Sequence, residues 1–310
     1  MIFRWLLAIG VVVGNFTGQE AKQPTYYKSQ SGDSSIVVQN FASSKVIGSK
    51  EKHLTAEGNL VEMASPDRGL KTSSRQLDAE WTEIDSKTTE LRSGRFEREA
   101  TIIFNSQTAY DESVRIAALH NQPHPKSPDE SSIFQAKSDL ITYGGDLKKG
   151  TVGFPEPVSF KRTSKGTTYK VQDGEKIPVT FDQVIDATGT RGEIVLGVGK
   201  DGQIDKPQTG FLDGPVHIKI VRHEMPKGTN VTTTSTYTCV ADHLEIDLLS
   251  NPGTITAEGN VTVDADSEGT VSKFVVDKFV INVNDQLEPL GFEFYGKPGV
   301  TKAQSKDGLR

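Results

Sequence analysis

Ala241-Asp242-His243-Leu244-Glu245-Ile246-Asp247, followed after a turn by Ile255-Thr256-Ala257-Glu258-Gly259-Asn260-Val261-Thr262-Val263, is the stretch on which the fold turns. Leu244 and Ile246 alternate with charged residues, and Val261 and Val263 flank Thr262. A period of two puts the apolar set on one face of a strand and the polar set on the other. The same habit returns in Val216-His217-Ile218-Lys219-Ile220, in Phe279-Val280-Ile281-Asn282-Val283 and in Phe292-Glu293-Phe294. β-Branched and aromatic residues dominate these runs, as strands prefer. The expectation is an all-β chain of stacked antiparallel strands with one apolar interior face.

Outward from that stretch, Thr256-Ala257-Glu258-Gly259-Asn260 has an identical copy at Thr55-Ala56-Glu57-Gly58-Asn59, each flanked by aliphatic residues. Looser echoes lie at Gly94-Arg95-Phe96-Glu97, at Gly153 to Phe160 and at Gly214-Pro215-Val216-His217-Ile218. A second element, an aspartate between aliphatic strands, recurs around Asp139, Asp242 and Asp277. Gly58, Asn59, Gly259 and Asn260 are the structural turn candidates, because glycine and asparagine tolerate positive φ where other residues strain. Each unit, repeated roughly six times between residues 36 and 300, has too few apolar residues to bury its own face, so neighbours must stack.

These residues resemble the OstA-like repeat of the LptA-like periplasmic components of lipopolysaccharide export, whose pattern runs Ala-Asp-x-Leu-x-Tyr-Asp and then Ala-x-Gly-Asn-Val-x-Val. The likeness is close over 238–264 and 52–62 and looser over 133–162, 184–222 and 274–296. The resemblance implies a β-jellyroll or β-taco whose apolar groove carries lipid A acyl chains. It implies lipopolysaccharide or a similar acyl lipid as ligand and other OstA-like export proteins as partners.

The residues themselves are compatible with that expectation. If the two walls of a folded, alternating sheet do not close, the interior face is a groove, and acyl chains suit a long apolar groove. The lining candidates are Val216, Ile218, Ile220, Leu244, Ile246, Val261, Val263, Phe279, Ile281, Val283, Phe292 and Phe294; the alternative is that they simply pack a closed core. A stack of strands also ends in open ladders, so head-to-tail pairing by strand addition is expected.

Residues 1–18 read as a secretory signal: Arg4, then the apolar run Trp5 to Val13, then Gly14, Asn15, Thr17 and Gly18. The run is too short to span a bilayer as a helix, which takes about 20 residues, and no lipobox cysteine follows it. A periplasmic location is therefore expected, with 19–35 as a flexible tether and 301–310 as a tail. Repeats are expected over 36–105 and 133–300. Between them, one short helix near 109–120, with Val114, Ala117 and Ala118 on a face, and a Pro-rich linker fill 106–132.

Chemistry-bearing constellations are sparse. A formal net charge of -6, with Lys+Arg 35 against Asp+Glu 41 interspersed, argues against nucleic-acid binding. The one cysteine, Cys239, excludes an intramolecular disulfide and reads as a small buried hydrophobe. His120 and His124 have a chelating spacing, but Pro123 and Pro125 break the helix that chelation needs, so no metal is expected. Glu97/Glu99 and Asp264/Asp266 are expected on solvated strand faces. No cofactor motif is present, and the reading is a lipid-binding conduit, not an enzyme. The alternatives left open are a structural or adhesive β-solenoid of the envelope without a lipid and a sugar-active enzyme on the same scaffold.

Overall fold

The computed structural model describes residues 25–28, 35–47, 51–83, 89–145, 149–172, 175–198, 204–267, 270–283, 289–296 and 302–305. The expected signal and most of the tether and tail lie outside them; within the expected tether, Thr25–Lys28 is a strand paired with residues 35–38. The first strands are β1 (Thr25–Lys28), β2 (Ser35–Gln39), β3 (Ser43–Ile47), β4 (Glu51–Ser65), β5 (Leu70–Glu83) and β6 (Thr89–Asn105). Helix α1 (Ser106–Leu119) leads to β7 (Glu130–Gly145), β8 (Lys149–Phe154), β9 (Val158–Gln172), β10 (Glu175–Gly189) and β11 (Arg191–Val198). The chain closes with β12 (Ile204–Pro226), β13 (Thr233–Asp247), β14 (Gly253–Ser267), β15 (Thr270–Val283), β16 (Pro289–Tyr295) and β17 (Lys302–Ser305). All pair antiparallel within one sheet, so the fold is all-β, stacked and antiparallel, with a single α-helix and one 3-10 turn at Pro66–Arg68 among the described residues.

Four of the long strands, β4, β7, β12 and β15, change partner part-way along. The first half of β4 pairs with β3 and its second half with β2; β7 pairs first with β9 and then with β8; β12 pairs first with β11 and then with β10. Register shifts sit at the changeovers of β4 and β12, between Glu57 and Val61 and between Asp213 and Val216, and at the matching level of β6 and β14, between Glu97 and Ala100 and between Glu258 and Val261. A bulge bends a strand, so the sheet folds along one corner line into two walls. The front wall holds β3, β8, β11 and β16; the back wall holds β1, β2, β9, β10 and β17; the long strands cross from one to the other. Phe154 of the front wall meets Phe160 of the back wall edge-to-face at 5.0 Å, and a single apolar cluster draws on both.

In mid-stack two rungs are cut at the corner instead of bulged, by Pro155-Glu156-Pro157 between β8 and β9 and by Thr190 between β10 and β11. Proline has no N–H for the ladder. Six strands consequently pair round a closed ring, β7–β8–β11–β12–β10–β9 and back to β7.

The corner explains both sequence repeats. At the corner of β14, Gly259 (φ 74°) and Asn260 (φ 49°) are left-handed, and Asp242, at the corner of β13, lies on them. The Asn260 amide donates to the Asp242 carboxylate at 2.7 Å, and a Cβ at Gly259 would stand 2.5 Å from the same carboxylate. Asp277 lies on Gly296 (φ 116°) in the same way. Asp139 faces Arg98 and Glu99, both left-handed. The aspartate motif and the glycine motif are thus successive turns of one corner. The identical pair differ in one respect: Gly58 and Asn59 also sit at a register shift, but without positive φ. Gly58 is needed there because the backbone of Asn40 to Ala42 crosses it, with Asn40 O 2.9 Å from where a Cβ would be.

Helix α1 begins earlier than the sequence suggests because Asn105 caps it, accepting from the Gln107 and Thr108 amides at 3.0 and 3.3 Å. Ala117 is its buried residue, Val114 is half-buried and Ala118 is exposed, so the expected shared face is only partly used. The sheet continues past the helix, since β6 and β7 pair on both walls.

Candidate functional site

The candidate site is the interior face between the walls. Strand register turns it into rows running across the stack. One row of the front wall passes unbroken through Leu54, Ala79, Gly94, Tyr143, Val152, Ile194, Gly210, Ile246, Ile255, Ile281 and Phe292. Its character changes along the way. Leu54 and Ala79 are 0% exposed, whereas Tyr143, Val152, Ile194, Ile246, Ile255 and Ile281 are half-buried and Phe292 is 56% exposed. The interior is sealed at the β4–β5 end, where Ile36, Met63, Trp81 and Leu91 are also buried, and admits solvent towards β16.

All twelve sequence candidates fall on interior rows. Leu212, Leu244, Ala257, Phe279 and Phe294 form the front row nearest the corner, with Ile246, Ile281 and Phe292 in the next and Val283 beyond. On the back wall Val216 and Val261 lie beside the corner, Ile218, Cys239, Val263 and Phe274 in the row after, and Ile220, Tyr237 and Ala265 in the third. Burial divides them. Val216, Val261, Val263, Phe279 and Val283 are buried and pack the walls together; Ile218, Ile220, Leu244, Ile246 and Ile281 are half-buried; Phe292 and Phe294 are exposed. At the β16 end Phe294 stacks on Phe279 at 4.9 Å and on Phe274 of the opposite wall at 4.8 Å. The Cys239 thiol shares this interior, and burial pushes its pKa up to about 11.

Beyond the Ile220–Tyr237–Ala265 row the back wall carries a polar one, Ser132, Ser164, Gln183, Arg222, Ser235 and Ser267, paired in direct register. Ser164 is 3% exposed, and the Ser235 and Ser267 hydroxyls bond at 2.8 Å. Arg222 donates to Glu224 at 2.7 Å and to Gln183 at 2.9 Å, with its guanidinium 4.4 Å from the Phe181 ring centre. Arg162, in the adjoining row between Phe134 and Ile185, donates to Glu130 at 2.8 Å. These residues escaped the sequence reading although the signal was there: Val216, Ile218, Ile220 and Arg222 share one period, as do Val158, Phe160 and Arg162.

No match emerges when the chain is compared with protein-family models, curated proteins and solved structures.

Other charged groups lie outside the walls. A cavity of about 640 Å³ on the outer side of the corner is lined by Arg75, Arg95, Glu97, Arg98, Glu99 and Asp139 among others. Glu97 is ion-paired with Arg95 and Glu99 with Arg75, and Glu99 stands at the corner, not on a strand face. His217 and His243 lie on the outer face, exposed and half-buried respectively. His243 bonds Asp213 at 2.6 Å. Among the described residues no group of three His, Cys, Asp or Glu side chains is placed to hold a metal ion.

Proposed function

We propose that this chain is a periplasmic carrier of lipopolysaccharide transport, of the OstA-like β-jellyroll type, holding acyl chains between its walls on the way to the outer membrane. The observation that carries the reading is the front-wall row that is fully buried at Leu54 and Ala79, only partly buried from Tyr143 to Ile281 and exposed at Phe292. A core built only to hold itself together would bury that row along its whole length. Isoleucines left partly in water on an interior face are what an acyl chain would cover, at about 0.8 kcal/mol for each methylene buried. The Ala-Asp and Gly-Asn corners, the two walls and the expected signal at 1–18 agree with the family resemblance. Among the described residues strand β16 pairs only with β15, so its other edge is the place where a further OstA-like protein, or a second copy, would add a strand.

A second reading has its own support. Val216, Val261, Val263, Phe279 and Val283 are fully packed, as an envelope scaffold with no lipid would require. Photo-crosslinking decides between the two. A photoreactive residue at Ile218 or Ile246, in cells exporting lipopolysaccharide, is expected to yield a lipid adduct, while one at the outward-facing Lys219 yields none. Absence of an adduct at every interior position would sink the carrier and leave the scaffold.

A further inference from the structure

The interior of the back wall is apolar for two rows from the corner, and its third and fourth rows carry charge, Arg162 between Phe134 and Ile185 and Arg222 between Gln183 and Ser235. Nothing in self-packing asks for this step. A charge on an interior face costs free energy unless it is paired or used, and the period-two positions of Arg162 and Arg222 are ones that β9 and β12 otherwise give to Val158, Phe160, Ile218 and Ile220. Both arginines are held but not exhausted. Their side chains are 33% and 29% exposed. Each is anchored by one glutamate, Arg162 through Nη2 and Arg222 through Nε, with Nη1 of Arg222 on Gln183. A guanidinium has five N–H donors in a forked plane, so each can still offer donors to a ligand. The two stand on strands that flank β10, one pairing step apart in register.

Resting on the carrier reading, we infer that this polar step is the head-group seat of the groove and that the carried lipid is anionic, its phosphate bound by Arg162 and Arg222. The acyl chains then lie over Ile218, Ile220 and Ile246, and the phosphate oxygens take the forked donors, a geometry for which arginine is suited and lysine is not. The glutamates hold the guanidiniums in place between ligands, and Phe181 supports Arg222 from beneath.

Calorimetric titration of the purified protein tests this with three probes: dioctanoyl phosphatidic acid, dioctanoylglycerol and inorganic phosphate. Phosphatidic acid is expected to bind about tenfold or more tightly than dioctanoylglycerol. Arg162→Gln and Arg222→Gln should each erase most of that preference, with circular dichroism and thermal unfolding matched to the parent protein reporting that the variants are folded. Should a glutamine variant fail to fold, Arg162→Lys and Arg222→Lys keep the charge and are expected to retain only part of the preference. Equal affinity for the two lipids, or a preference indifferent to both arginines, overturns the head-group seat and leaves the carrier standing. Phosphate alone binding as tightly as phosphatidic acid makes the site one for a free anion and overturns the proposal as well. Binding of neither lipid removes the carrier reading and this inference together.

Discussion

At Gly259 two demands meet in one residue. The backbone is left-handed at φ 74°, and the Asp242 carboxylate occupies the space a side chain would fill. Gly259→Ala should therefore cost about 2 kcal/mol, partly as strain in the left-handed region and partly as a clash. The two parts are separable. In an Asp242→Ala background the clash is gone, so the added cost of Gly259→Ala should fall to about 1 kcal/mol. Urea unfolding of the four proteins in a double-mutant cycle measures this, and strict additivity would contradict the packing described. Much at this scale was legible in the sequence. Ala-Glu-Gly-Asn marked a turn because few residues accept such a backbone. That its two copies use different geometry was not legible, because the chain crossing Gly58 comes from Asn40 to Ala42.

Between neighbouring elements, Arg191, Asp213, His243, Glu258 and Lys278 stand directly opposite one another across β11 to β15, with His243 between two carboxylates that each face a cation on their other side. Burial pulls the Asp213 carboxyl upward, but hydrogen bonds from Arg191 and His243 outweigh it and hold its pKa below the ordinary value. A group lowered in the folded state stabilises the fold above its unfolded pKa, about 3.9 for aspartate, and loses that contribution as pH falls through the folded value. Asp213→Asn is thus expected to lower stability by up to about 1 kcal/mol at pH 7, with the gap to the parent protein shrinking below about pH 4. Urea midpoints at pH 7 and pH 3 check the sign; a gap that widens on acidification would refute it. Strands such as β12 to β15 were readable from alternation alone. The start of α1 was not, because Asn105 belongs at once to the end of β6 and to the helix cap.

Over the whole molecule the stack has two unlike ends. At the β4–β5 end the interior is closed; at the other, β16 presents an edge that no described residue pairs, with Leu290, Phe292 and Phe294 exposed at 62%, 56% and 44%. An apolar edge of that kind invites strand addition, and an inward charge discourages it. If copies of the chain associate through this edge, Phe292→Lys should reduce concentration-dependent association in sedimentation velocity without altering the circular dichroism of the monomer. Unchanged association would place the contact elsewhere.

The period-two pattern determined by itself that the chain is β, which residues share the interior face, and that Gly-Asn and Asp positions interrupt the strands, because these depend on residue geometry within a few positions. Only the tertiary structure decided that those interruptions align into one corner, that the same interior row is sealed at Leu54 and open at Phe292, and that Ser164, Gln183 and Arg222 meet in one polar line. Each of these depends on the register between strands far apart in the chain, and no local pattern carries it.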